Sequence, residues 1–139
     1  MTIYTPTIDT SYITLNRHSK NILLAILAEI EASNLPKPEL GIRYRPSKWF
    51  GELTEAERQA YSRALRKLDD AGLLIRITEE NRDRVAYVRL TTGGLWKALE
   101  VNPDADRDAI AESLSRTNWG ADVLDGLIPR PMRGETTLE

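Results

Sequence analysis

The sequence predicts an α+β protein, mainly helical, in the order α, short β, α, α, β, β, α, with at least one further helix at the C-terminal end. Three observations carry this expectation. Residues 54–74, TEAERQAYSRALRKLDDAGLL, hold a helix start signal, an amphipathic body and a stop signal in that order. Two β-rich runs, 73–78 and 84–90, follow at once, separated by the polar stretch EENRD. Between Asn16 and Ala32 a strong apolar stripe supplies another helix against which the first can pack.

Taken in order, residues 1–15 mix Thr, Ile and Tyr with Pro6 inside, which suits an extended arm or an edge strand better than a helix. Asn16 is placed to cap the first helix, whose Ile22, Leu23, Ile26, Leu27 and Ile30 share one face. Pro36, Pro38, Gly41 and Pro46 punctuate the next connection, leaving room for a short strand at 42–45. Ser47 is expected to cap a brief helix over KWFGEL, weakened by Gly51.

The helix after it is the best signalled. Thr54 and Glu57 have the spacing of a capping box, in which hydroxyl and carboxylate each satisfy a backbone N–H left orphaned at a helix start. Gly72 supplies the stop, and Tyr61, Leu65 and Leu68, flanked by Ala60, Ala64 and Ala71, build one stripe for burial. After the hairpin, Thr91 caps a helix to about Val101 that returns Leu95, Trp96 and Leu99 to the core despite Gly93 and Gly94. Pro103 is expected to open another helical stretch, with Ile110, Leu114, Trp119, Val123, Leu124 and Leu127 as apolar positions. These exceed what one small core readily covers, so a homodimer through this segment is expected. The division is then an N-terminal arm at 1–15, a folded domain at 16–101, a helical extension at 102–128 and a flexible tail at 129–139.

The face of helix 55–71 opposite its apolar stripe carries Arg58, Gln59, Ser62, Arg63 and Arg66. All bear donors of the kind used to read base edges and grip phosphates. The plain alternative is a surface helix kept soluble by arginines. Agreement between cap, stripe, the Ala-Gly-Leu ending and the hairpin favours DNA contact.

The run SRALRKLDDAGLL, followed by a strand pair and by Leu90, Thr91 and Gly94, resembles the recognition helix and wing of winged helix-turn-helix transcriptional regulators of the MarR and PadR kind. The resemblance covers roughly residues 16–99. It implies a sequence-specific double-stranded DNA-binding regulator working in the cytoplasm as a homodimer. On that reading Gln59, Ser62, Arg63 and Arg66 enter a major groove, while Arg58, Lys48 and the wing arginines Arg82 and Arg84 mainly hold the backbone, with Ser47 a further backbone contact. Arg82 and Arg84 suit plain solvation equally well. The helix over KWFGEL is shorter than the family's usual first helix of the pair.

The formal charge of −2 is unevenly spread. Residues 1–100 hold 15 Lys+Arg against 13 Asp+Glu, a net of +2, whereas 101–139 hold 4 against 8, a net of −4. Within 43–67, seven basic residues face three acidic ones, a local +4 that matters more than the total because phosphate attraction is screened beyond a Debye length.

Without cysteine the chain makes neither disulfides nor thiolate metal sites, which fits a reducing cytoplasm. No apolar run approaches the ~18 residues of a membrane span, and no signal peptide is expected. His18, the single histidine, has no paired-ligand spacing and reads as a surface residue. No nucleophile motif, phosphate-cradling glycine loop or dinucleotide fingerprint is present, so neither catalysis nor a cofactor is expected. The run Arg43-Tyr44-Arg45-Pro46-Ser47-Lys48-Trp49-Phe50 offers rings beside cations, as single-strand binders do, but with one phenylalanine in the chain these rings are expected inside. The rival function is a winged helix serving as a protein-interaction module in a replication, transcription or chromatin complex, which the net acidity favours.

Overall fold

A computed structural model of the chain describes residues 14–78 and 84–127. Most of the expected arm, the hairpin turn with Arg82, and the tail lie outside these residues. The described chain is α+β and mainly helical: α1 (Arg17–Glu31), β1 (Ile42–Arg43), α2 (Pro46–Phe50), α3 (Glu55–Asp70), β2 (Leu74–Thr78), β3 (Val85–Leu90), α4 (Thr92–Val101), α5 (Arg107–Ser115) and α6 (Asn118–Leu127).

Asn16 starts α1 by accepting the Ser19 N–H at 2.8 Å, which satisfies one of the orphan donors of the first turn. The α1 stripe is then buried completely, with Ile22, Leu23, Ile26 and Ile30 at 0% exposure. Each such side chain contributes about 1.5–3 kcal/mol relative to exposure. α1 is the central strut, touching α3, α4 and α5.

Local signals also set α3. Thr54 accepts the Glu57 N–H at 3.1 Å, and Tyr61, Ala64, Leu65 and Leu68 face inward. At the other end Leu73 N–H donates to Leu68 O and Gly72 N–H to Asp69 O, both at 2.9 Å, the bond pair of a Schellman motif. That ending needs a left-handed residue, and Gly72 supplies it at φ 77°.

The sheet has strand order β1-β3-β2, all antiparallel, with Ile42 opposite Val88 and Leu74 opposite Leu90. β2 and β3 form the expected hairpin. Thr91 caps α4 by accepting the Gly94 N–H at 3.0 Å. Gly94 is a packing requirement rather than a weak point, since a Cβ there would overlap the Leu73 carbonyl. Trp96, in contrast, is half-buried and stays outside the core cluster that takes Leu95 and Leu99.

Three further expectations are corrected. Ser47 does not cap α2; the helix begins at Pro46, whose fixed φ suits a first helical position, and ends at Gly51. Pro103 opens no helix, because residues 102–106 turn and Asp106 caps α5 by accepting the Ala109 N–H at 3.1 Å. Two helices follow instead of one stretch, with α6 restarted by Thr117, whose hydroxyl accepts the Gly120 N–H at 2.9 Å.

The apolar residues after Pro103 are used within the chain. Ile110, Leu114, Trp119 and Val123 join the core, and Leu124 and Leu127 pack on its edge. Trp119 Nε1–H donates to Pro38 O at 2.8 Å, tying α6 to the loop before β1. The surplus that motivated a dimer is therefore absorbed by α1 and α4. Among the described residues Ile75, at 47%, is the one exposed large hydrophobic. No helix among them is long and apolar enough to cross a membrane.

Candidate nucleic-acid interface

Burial of Tyr61, Leu65 and Leu68 against α1 forces the opposite side of α3 outward. Gln59, Ser62, Arg63 and Arg66 are all exposed on that side. At 1.5 Å rise per residue they span about 10 Å along the axis, close to the width of a DNA major groove. Arg58 is exposed on one flank and Lys67 on the other. Lys67 escaped the sequence reading although its position, four residues after Arg63, placed it beside this face.

These donors differ in what already occupies them. Glu55 holds two: its Oε1 lies 3.6 Å from Arg58 Nη1, and its Oε2 accepts from Gln59 Nε2 at 3.3 Å. Arg63, Arg66 and Lys67 make no ion pair among the described residues and present free cationic heads. Contacts as exposed as that between Glu55 and Arg58 are readily exchanged for a better anion.

Ser47 and Lys48 are exposed on α2. The Lys48 ammonium lies 3.8 Å from Glu29 Oε2, so it has a partner on α1. Glu29 is a junction, accepting from Trp49 Nε1–H at 2.7 Å and from Asn34 Nδ2–H at 2.8 Å. Burial pushes its carboxyl up, but the bonds from Trp49 and Asn34 and the charges of Lys48 and Arg45 outweigh that, leaving it below the usual carboxylate range.

The aromatic run works internally, as expected. Tyr44 meets Trp49 edge-on at 5.6 Å, Trp49 meets Phe50 at 6.0 Å, and Phe50 stacks on Tyr61 of α3 at 4.1 Å. Burial, with the neighbouring Tyr61 phenol, raises the Tyr44 hydroxyl to about 12. Rings so placed brace α2 against α3, with Tyr44, Trp49 and Phe50 partly buried against the core. His18 is half-buried rather than a surface residue, its ring edge-on to Tyr61 at 4.7 Å.

At the hairpin, Arg84 is exposed, while Arg82 lies outside the described residues. Arg76 on β2 is occupied elsewhere, its Nε–H donating to Asp69 at the end of α3. Among the described residues no group of three or more His, Cys, Asp or Glu side chains converges to hold a metal ion. Comparison with protein-family models, with curated proteins and with solved structures finds no match to this chain.

Proposed function

We propose that the protein is a winged-helix transcriptional regulator that binds specific double-stranded DNA, with α3 in the major groove and the β2–β3 hairpin as its wing. The observation that carries this reading is the shared outward face of Gln59, Ser62, Arg63 and Arg66 on a capped helix that runs directly into an antiparallel hairpin. The element order from α1 to α4, with the small strand β1 joining the hairpin, is further support. In this reading Arg58, Lys48, Ser47 and Arg84 hold the backbone, together with Arg82, which lies outside the described residues. A homodimer belongs to the proposal, but α5 and α6 lend it no support; exposed Ile75 on edge strand β2 is the described apolar side chain left for such a contact.

The second reading, a winged-helix protein-interaction module, draws on the opposite charge elsewhere. Residues 100–127 hold seven acidic and two basic side chains, a net of −5, every one of them exposed.

Selection from a random duplex pool, followed by electrophoretic retardation across a salt series, separates the two. Enrichment of one motif, with affinity falling steeply as salt rises, is expected for the regulator. Absence of enrichment, together with no retardation of any duplex at low salt, transfers the case to the interaction module.

A further inference from the structure

We infer that Glu55 is a positioning residue that makes Gln59 select adenine over guanine, an inference that rests on α3 lying in a major groove. Glu55 is the first residue of α3 and opens its outward face, one turn before Gln59 and in line with Ser62, Arg63 and Arg66. Side chains near the start of a recognition helix are the ones that meet base edges.

The Glu55 carboxylate is engaged from two sides. Its Oε1 lies 3.6 Å from Arg58 Nη1, and its Oε2 accepts from Gln59 Nε2 at 3.3 Å. The start of a helix also favours negative charge, so Glu55 has a reason to stay over Gln59 when Arg58 turns to a phosphate.

A carboxylate only accepts hydrogen bonds, so the end of the Gln59 amide that faces it has to be the nitrogen. One of the two N–H groups is thereby committed. The carbonyl oxygen and the other N–H remain, and they match the amino group and N7 of adenine. Guanine presents two acceptors, N7 and O6, and an amide satisfies both only by turning both of its N–H groups to the base. Glu55 already holds one of them. Exclusion of water from the groove strengthens that hold. The same carboxylate repels phosphates, so the base choice comes with weaker binding to every sequence.

The full chain is first used to select a site from random duplexes. Gln59→Ala then marks the base pair that Gln59 reads, as the position whose preference flattens, and retardation titrations compare duplexes carrying adenine or guanine there. The wild type is expected to favour adenine roughly tenfold, within the span of one bidentate contact. Glu55→Ala releases the second N–H and should lower the ratio to about twofold. Glu55→Gln, whose amide oxygen accepts the same N–H without the charge, should keep a ratio of about fivefold while binding both duplexes more tightly than the wild type. The Glu55 side chain is 73% exposed and Thr54 supplies the cap, so both variants should keep the wild-type circular dichroism. If the wild type enriches no motif, the regulator reading fails and this inference fails with it. With a motif in hand, the inference alone is overturned by a wild-type ratio in Glu55→Ala, by a marked base pair without adenine, or by a Gln59→Ala variant that flattens no position. A Glu55→Gln ratio as low as that of Glu55→Ala would assign the effect to charge and overturn it equally.

Discussion

Asp69 in the last turn of α3 accepts a hydrogen bond from Arg76 Nε on β2 at 2.7 Å, and both side chains are about a third exposed. A carboxylate at a helix C-terminus faces the negative end of the helix dipole, an unfavourable position unless a cation answers it. Arg76 provides that cation from the hairpin. The pair thereby pins the angle between the helix with the outward arginines and the strand that leaves it.

Arg76→Ala is expected to destabilise the fold by about 1 kcal/mol, because it removes a partly exposed ion pair and leaves Asp69 against the dipole. Asp69→Asn alone should cost less, as it also removes the unfavourable charge. Urea denaturation of both variants measures the order, and equal losses would remove the dipole argument.

On the α3 face, Arg66→Ala should lower affinity for a selected DNA site by about 1–3 kcal/mol while changing random-sequence binding little. Arg84→Ala should weaken all sequences alike and reduce the salt slope by about one unit. Retardation titrations on both DNAs at several salt concentrations distinguish them. Wild-type binding by both variants on each DNA would show that this face does not contact DNA.

Glu29 links α1 to α2, and the hydrogen bonds from Trp49 and Asn34 hold its carboxyl below the usual carboxylate range despite its partial burial. A lowered folded value means that the ionised group stabilises the fold fully above the unfolded value, and that this contribution is lost as pH falls through the folded one. Glu29→Gln should therefore be less stable than the wild type at pH 7, with the gap closing as the medium is acidified below about 4.5. Denaturant midpoints from pH 7 downward test it; a gap constant with pH would place the effect in packing alone.

Gly94→Ala should destabilise by several kcal/mol, roughly 2–4, because the new methyl meets the Leu73 backbone, which is anchored by the Schellman ending of α3. In an exposed helix the same change would stabilise by up to about 1 kcal/mol. Thermal melts of Gly94→Ala decide the sign.

The three caps at Asn16, Thr54 and Thr91, the stop at Gly72, and the stripes of α1 and α3 were legible without a structure, as was the outward placement of Gln59, Ser62, Arg63 and Arg66. Each depends on groups within about one or two helical turns, where a side chain and the backbone it satisfies are close in the chain. The start of α2 was misread because Ser47 has a capping hydroxyl, yet Pro46 before it already takes the first helical position. Trp49 bonding Glu29 across 20 residues, and Trp119 bonding Pro38 across 81, carry no local mark. Nor does the contact of Gly94 with Leu73, or the burial of α5 and α6 that removed the apolar surplus. These were decided by the tertiary structure. Periodicity states which side of a helix seeks burial, whereas the surface that covers it is fixed only when distant elements share one core.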